Sequence, residues 1–302
     1  MLLQQRTAAD RFTTEKFDAL FDRQLNNANI ETTIELAASD PVKLYYFMQR
    51  YAYFNSYAGS LVARLASSIG ISYQLFRQDA VAVIDQSDRG LEIAAKVLAA
   101  TIDEHADAGA QQVPHRTLAQ VTLKAVSEYA QLGDNELNQV AQAPTWMQTI
   151  ITDLINGYQG KIDDLEALVT ALGFHIGSEL LADREYSLID KVVRYTNRGS
   201  GFDAWLQGKQ VEVGGKRLSP WYWIVVHGKH NASGVEADHF ELALDALNLL
   251  AAYRPESNEQ IWQWASQGFL DFAELQQSLF ACTKSELMAL DPQAKVRMSE
   301  LN

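Results

Sequence analysis

Histidine and acidic side chains recur at helical spacing in the last third of the chain, where they could hold a transition metal. Glu236 and His239 are three residues apart, which places both on one face of a helix. His227 and His230 come shortly before them, so three of the six histidines fall within thirteen residues. A Glu-x-x-His pair on a bundle helix is a ligand pattern of di-iron carboxylate proteins. A surface helix with acids near its N-terminus also explains the pair, and it is the commoner case for an isolated motif.

A second pattern lies around a loop in the middle of the chain. Glu104 is expected to close one helix, and His115 is expected to open the next. Two side chains that flank one short loop can converge on a single metal, and imidazole and carboxylate are ligands that iron accepts. Solvated charges at a helix end are the plainer explanation when this pattern is taken alone.

A third pattern is His175-x-x-x-Glu179, one helical turn apart on an otherwise apolar stretch. A carboxylate there needs a partner, because burying an unpaired charge is costly. A core histidine beside a glutamate at the core boundary is the more frequent arrangement for such a pair. Helical register assigns Glu179, rather than Glu185, to the candidate site.

Long stretches without proline carry apolar residues at three- and four-residue spacing, which predicts amphipathic helices. Asp40-Pro41 is a helix start, with a capping residue followed by proline at the first helical position. Glycines cluster between residues 197 and 220 and predict a short hairpin or ordered loop. We expect helices at about 14–26, 40–68, 72–104 with a break near Gly90, 115–132, 145–158, 162–195, 235–253 and 258–288. The fold predicted is an all-α multi-helix bundle with a short Gly-rich insertion near 197–220, in one domain spanning 1–302.

Composition excludes several classes of function. The formal net charge of −13 repels phosphate backbones and anionic lipid, so we expect neither nucleic acid nor membranes as partners. No run approaches the ~18 apolar residues of a transmembrane helix, and the N-terminus lacks a signal-peptide core. The single cysteine, Cys282, excludes a disulfide framework and fits a reducing cytoplasm, where we expect the protein. No phosphate-binding glycine motif is present.

Together, the three patterns resemble the heme-oxygenase-like superfamily. The chain looks most like the branch that holds the TenA-like proteins, the Chlamydia death-domain-associated protein and the heme-oxygenase-like di-iron oxidases. That branch has an acidic residue before a loop and a histidine after it in an H-x-x-L setting, which matches Glu104 and His115 to Leu118. Its middle glutamate matches Glu179. The second half of its late H-x-x-x-D/E-x-x-H motif matches Glu236 and His239.

The chain departs from the branch at the first histidine of that late motif. The residue four positions before Glu236 is Ala232, and Asn231 to Gly234 interrupts the helix pattern. His227 or His230 would supply the missing imidazole if the preceding segment doubles back. If neither does, the site would hold one iron, bind metal weakly or be inactive.

The resemblance implies a non-heme iron oxidase or oxygenase. Its one or two irons would use O2 as co-substrate and would act on a small organic molecule. Bundles of this kind often dimerise, so a homodimer is one expected arrangement. The implied ligands are Glu104, His115, Glu179, His227, His230, Glu236 and His239.

Two alternatives remain open at this point. A TenA-like hydrolase of thiamin-related pyrimidines would need Cys282 as its nucleophile. A non-catalytic helical protein would keep the bundle around a degenerate metal site. Heme oxygenase proper fits poorly, because the first histidine in the chain is His105 and a proximal ligand is needed near the start.

Overall fold

Helices dominate the computed structural model, which describes residues 11–106, 112–229, 232–233 and 235–290. The helices are α1 Thr14–Asp18, α2 Arg23–Ala38, α3 Pro41–Asn55, α4 Ala58–Ile71, α5 Arg89–Ala99, α6 Ile102–His105, α7 His115–Tyr129, α8 Asp134–Ala141, α9 Thr145–Gly157, α10 Leu165–Asp190, α11 Phe202–Leu206, α12 Tyr222–His227, α13 Val235–Tyr253 and α14 Asn258–Ala289. Short 3₁₀ turns at Tyr73–Phe76, Val83–Asp85, Arg198–Ser200 and Pro255–Ser257 and a π-helical turn at Lys191–Thr196 connect or extend them. The prediction of an all-α chain is confirmed.

Strands in the described residues are confined to two small antiparallel hairpins. β1 Val211–Val213 pairs with β2 Lys216–Leu218 inside the predicted Gly-rich insertion, and Gly214 and Gly215 take the positive φ angles of the turn. Such angles are accessible to glycine without a Cβ clash. β3 Gly228–Lys229 pairs with β4 Ala232–Ser233 immediately before α13. The second hairpin has no counterpart in the sequence prediction.

The central helix is α10, which is buried on nearly every side. It packs along α14 and α13, and it also contacts α2, α4, α9 and α12. A helix that is apolar on most of its surface belongs in a core, and from Leu168 to Ile176 only Thr170 and His175 of α10 are polar. The buried charged residues Glu179 and Glu185 on this helix therefore project into the interior of the bundle.

By length and composition alone, one helical run in the described residues could cross a membrane. It is Leu165–Thr196, which comprises α10 and the π-helical turn. In its most apolar 18-residue window, 61% of the residues are buried inside the protein. This burial is typical of a core helix, because neighbouring helices already cover its apolar surface.

Two glycines set the close approach of α10 and α14. A Cβ at Gly173 would overlap the backbone of Ala265, and a Cβ at Gly268 would overlap the carbonyl oxygen of Thr170. Each helix therefore places a glycine against the backbone of the other. The contact brings α10 into the position from which its interior polar residues reach the centre of the bundle.

Several predicted helix boundaries are wrong. The predicted helix 40–68 is two helices, because the chain breaks at Ser56, whose hydroxyl donates to the Tyr53 carbonyl at 2.8 Å. A side chain that bonds the preceding turn competes with the helical backbone. Asp40 does cap α3 as expected, by accepting from the backbone N–H groups of Val42 and Lys43. The start predicted for α10 is early by three residues, and Asp164 caps the helix.

Two other segments also differ from the prediction. The predicted helix 14–26 ends at Asp18, and a second helix, α2, covers Arg23–Ala38, of which only residues 23–26 carried a helix prediction. The predicted helix 72–104 is two 3₁₀ turns joined by loops and followed by α5 and α6, with Asp88 capping α5. The helix α8 was not predicted, because among its residues only Val140 is buried.

Candidate metal centre

Six acidic and histidine side chains from five helices meet in the interior of the bundle. They form two triads, and in each triad one ligand-type atom from every side chain lies within 4.8 Å of the others. One triad consists of Glu104, His115 and His227. The other consists of Glu179, Glu236 and His239. We call these six residues the His/Glu cluster.

The first triad is assembled from three helix ends. Glu104 is on the short helix α6, His115 opens α7 and His227 closes α12. The Glu104 Oε1 lies 2.8 Å from His115 Nδ1 and 3.1 Å from His227 Nε2. Burial raises the pKa of Glu104, but the hydrogen bonds from the two histidines outweigh this and hold the pKa well below its usual range. Glu104 is therefore an ionised carboxylate beside two imidazoles.

The helix α6 can reach this position because α4 has a glycine where the two helices meet. A Cβ at Gly59 would lie 2.8 Å from the Cβ of Glu104. Thr101, the residue before α6, donates its hydroxyl to the Gly59 carbonyl at 2.8 Å. These two contacts seat α6 on α4 and turn Glu104 inward.

The second triad joins the middle of α10 to the first turns of α13. His239 Nδ1 lies 3.6 Å from Glu179 Oε2 and 3.5 Å from Glu236 Oε2. Burial disfavours a charged imidazole, but the carboxylates of Glu179 and Glu236 outweigh it and raise the pKa of His239 to about 11. Burial, followed by the charge of Glu179, raises the pKa of Glu236. In the absence of a metal, His239 therefore carries a proton between two carboxyl groups.

Glu236 links the two triads. One of its carboxyl oxygens lies 3.7 Å from His227 Nε2, and the other lies 3.5 Å from His239 Nδ1. His227 belongs to the first triad and His239 to the second, so the carboxyl group of Glu236 spans the space between these two histidines. A carboxylate in this position can contact two metal ions at once.

The hairpin β3–β4 explains how His227 reaches the cluster. Ala232 stands where the resembled motif has a histidine, and it lies on β4, whose pairing with β3 turns the chain back on itself. Gly228 makes this possible, because a Cβ there would lie 2.6 Å from the Asp183 carbonyl oxygen on α10. The imidazole that this segment brings to the cluster is that of the residue before the hairpin, His227. The other candidate, His230, lies outside the described residues.

His175 is a further histidine beside the cluster, although it was not assigned as a ligand from the sequence. It is fully buried one turn before Glu179, and its Nδ1 lies 3.2 Å from Glu179 Oε1. Its Nε2 has no hydrogen-bond partner among the described residues. The i, i+4 spacing with Glu179 was the sequence signal for this placement. Glu179 itself is buried in the cluster and does not lie at the core boundary.

Comparison of the chain with protein-family models, with curated proteins and with solved structures found no significant match. The chemistry of the site therefore rests on the geometry of these side chains.

The cluster fits a pair of divalent metal ions in the chemistry of its donor atoms. Imidazole nitrogen and carboxylate oxygen suit iron, manganese and zinc. Within the part of the chain that the structure describes, no ion pair joins Glu104, Glu179 or Glu236 to a lysine or an arginine; their partners are histidines. Two buried carboxylates and the half-buried Glu104 need positive charge nearby when they are ionised. Protons on the histidines or bound cations can supply it, and the buried Nε2 of His175 has no hydrogen-bond partner among the described residues.

A cavity of about 60 Å³ borders the cluster. A water molecule needs roughly 15 Å³ of such space, so the cavity has room for several water-sized groups. Its wall includes small residues on three helices, Ala52, Ala119 and Ala182, and aromatic residues such as Tyr158 and Trp223. Arg116 is exposed and also lines the cavity, so it marks the side on which the cavity reaches the surface. Cys282, half-buried on α14, is not among the lining residues.

Glu185 is a further carboxylate that lines this cavity, but it belongs to neither triad. Its side chain is buried, and Gln276 on α14 donates to its Oε1. Burial raises the pKa of Glu185 to about 7, while the Gln276 amide and the Tyr51 hydroxyl limit the rise. Its carboxyl group is therefore uncharged at acid pH and charged above neutrality.

A pH-dependent penalty on folding follows from this raised pKa. The unfolded carboxyl titrates near pH 4.5 and the folded one near 7, so folding binds a proton between these values and stability falls as the pH rises through that window. The full penalty above pH 7 is about 3 kcal/mol at most. We expect Glu185→Gln to gain stability relative to the wild type between pH 5 and pH 8, in urea unfolding of the metal-free protein. A stability difference that is the same at both pH values would contradict this assignment.

Proposed function

We propose that the protein is a non-heme di-iron oxidase or oxygenase that acts on a small organic molecule with O2 as co-substrate. The observation that carries the proposal is the position of Glu236, whose carboxyl group lies between two His/Glu triads. We also propose that the helices form a heme-oxygenase-like bundle, since the order of the ligand residues along the chain resembles that of the di-iron branch.

In this proposal, Glu104, His115 and His227 would hold one iron, and Glu179, Glu236 and His239 would hold the other, with the Glu236 carboxyl group also near His227 of the first triad. Ferrous iron held there would supply electrons that activate O2 for attack on a C–H or N–H bond, with an external reductant restoring the ferrous state. The protein contributes the charge balance, because three carboxylates match most of the positive charge of two divalent ions.

Neighbouring groups fix the orientation of the ligand histidines. His227 Nδ1 lies 2.6 Å from the Trp223 carbonyl oxygen, which can only accept, so this nitrogen carries the proton and Nε2 faces the cluster. The ring of Tyr186 stacks on the His227 imidazole, with centroids 4.4 Å apart and planes at 16°. Outer contacts of this kind set the tautomer and ring plane of metal-ligating histidines. His227 is therefore held ready to bind through Nε2.

Tyr158 makes an orienting contact with His175, the histidine beside the second triad. Its hydroxyl lies 3.4 Å from His175 Nδ1 and also contacts the Ser178 hydroxyl, one turn further along α10. The tyrosine is fully buried and lines the cavity. It thus positions the His175 ring and forms part of the cavity wall.

The first test is a count of metal ions in the protein. The chain is expressed with added iron and purified without chelators, and iron is measured by elemental analysis in the wild type, in His239→Ala and in His105→Ala. We expect about two irons per chain in the wild type and about one or fewer in His239→Ala, because imidazole ligands are needed for tight binding. His105 is exposed and outside the cluster, so His105→Ala should keep the wild-type content.

Absence of iron from the wild type, or an unchanged content in His239→Ala, would refute the iron proposal. If iron is bound as expected, the next measurement is oxygen consumption by the reduced protein with candidate substrates. The same three proteins serve again, and only the wild type and His105→Ala should consume oxygen at the full rate.

A further inference from the structure

The cavity contains a buried carboxylate with no function in the proposed metal site. Glu185 is 2% exposed, lies on α10 about two turns beyond Glu179, and lines the same cavity. Within the described residues it forms no ion pair, and the groups that hydrogen-bond to it are uncharged, the amide of Gln276 and the hydroxyl of Tyr51. A buried carboxylate without a cation is costly, because neutral donors replace only part of its hydration. An ionised Glu185 therefore needs a counter-charge, and the described residues form no ion pair with it.

The surrounding residues hold this carboxylate in place. Gln276 is fully buried, and its own carbonyl oxygen accepts from Asn26 Nδ2 at 2.8 Å. This bond turns the amide NH2 of Gln276 toward Glu185. Three buried side chains on α2, α14 and α10 are thus linked by hydrogen bonds in a series that ends at the cavity. A polar network of this kind fixes one orientation of its last member, since each group has its partner only in that arrangement.

Aromatic side chains share the cavity wall with Glu185. Tyr186 and Trp223 both line the cavity, and their rings meet edge to face, with centroids 5.7 Å apart and planes at 80°. The faces of tyrosine and tryptophan attract cations, and this attraction is strongest where water is excluded. The alanines Ala52 and Ala182 leave the space beside them open. A buried carboxylate and two aromatic rings in the wall of one cavity are groups that can bind an organic ammonium.

We propose that Glu185 binds the cationic nitrogen of the substrate, and that the substrate is a small organic amine. This inference rests on the proposed oxidase function for its meaning in catalysis, but the binding site itself depends only on the cavity. Glu104 and His115 of the first triad line the same cavity as Glu185. An amine held at Glu185 therefore lies in the cavity that this triad borders.

The test uses n-propylammonium as the probe, with 1-propanol as the uncharged molecule of the same length. Dissociation constants are measured by saturation-transfer NMR at pH 8 in the wild type, in Glu185→Gln and in Glu166→Gln. We expect the wild type to bind n-propylammonium about tenfold or more tightly than 1-propanol, because a charged hydrogen bond is added. Glu185→Gln should lose this preference. Glu166 lies in the first turn of α10, outside the cavity lining, and Glu166→Gln should keep the preference.

A further variant separates this site from the His/Glu cluster, whose carboxylates could also attract a cation. In Glu236→Gln, and in wild-type protein reconstituted with zinc, the preference for the ammonium should persist. If Glu185→Gln binds n-propylammonium as the wild type does, or if Glu236→Gln alone removes the preference, the assignment to Glu185 is wrong. A protein that binds the ammonium through Glu185 and holds no iron would refute the proposed oxidase and leave the amine site standing.

Discussion

Replacing Glu236 by glutamine should remove metal binding at both triads while leaving the metal-free protein at least as stable as the wild type. The carboxylate contacts a histidine of each triad, so both metal positions lose a ligand in Glu236→Gln. We expect metal affinity to fall by about a hundredfold or more. The fold should not suffer, because glutamine has nearly the same shape and because burial and the charge of Glu179 raise the pKa of Glu236 to about 8, so its ionised form is already disfavoured without metal.

Two measurements decide this prediction. Competition with a chromophoric chelator gives the zinc or iron affinity, and urea unfolding in the presence of a chelator gives the free energy of unfolding. Asp238→Asn is the matched control, since Asp238 is in the same helical turn but exposed, and it should match the wild type in both measurements. A Glu236→Gln protein that is destabilised without metal would instead indicate that the cluster is a structural ion-pair network.

Replacing Gly268 by alanine should destabilise the protein by about 3 kcal/mol or more, which is the opposite of the usual effect in a helix. Alanine favours an isolated helix over glycine by roughly 1 kcal/mol. At Gly268, however, the new Cβ would overlap the Thr170 carbonyl oxygen, and it would also lie 2.8 Å from the Phe174 backbone nitrogen. Backbone atoms cannot rotate away, so α10 and α14 must separate, and overpacking of this kind is costly.

Urea unfolding of the metal-free protein measures this effect. Gly199→Ala is the control, because a Cβ at Gly199 meets nothing within 4 Å, and it should change stability by no more than about 0.5 kcal/mol. If Gly268→Ala and Gly199→Ala have similar stability, the close crossing of α10 and α14 is not present. Because α10 carries Glu179, we also expect Gly268→Ala to weaken metal binding.

The parts of the site that obey helical periodicity were predictable from the sequence. Glu236 and His239 share a face because residues three apart always do, and His175 and Glu179 follow from the spacing of four. The position of His227 was not predictable in this way. It depends on a hairpin of four strand residues and on the close contact of Gly228 with α10. A tight backbone contact leaves no periodic signal in the sequence.

The helices also divide into those whose bounds the sequence predicted and those whose bounds it did not. The helix α13 begins and ends where its apolar repeat does, at Val235 and Tyr253. The break between α3 and α4 was missed because apolar residues continue at helical spacing across Ser56. The helix α2 carries a usable signal in Ile30, Ile34 and Ala37, which are all fully buried at four- and three-residue spacing. The intervening asparagines and threonines masked that signal, because they are poor helix formers.

The break at Ser56 has a mechanical consequence for the entrance of the cavity. Arg116 holds the Ser56 carbonyl oxygen through its guanidinium group, with the Nε at 2.9 Å, and it directly follows His115 on α7. One side of the entrance is therefore stiff, because a shift of α7 that widens it would also displace a residue of the cluster. The junction of α3 and α4 is the other partner of this bond, so bending it pulls on Arg116 and, through Arg116, on the residue next to it in the cluster. A guest that widens the entrance must therefore break the bond between Arg116 and Ser56 or move His115.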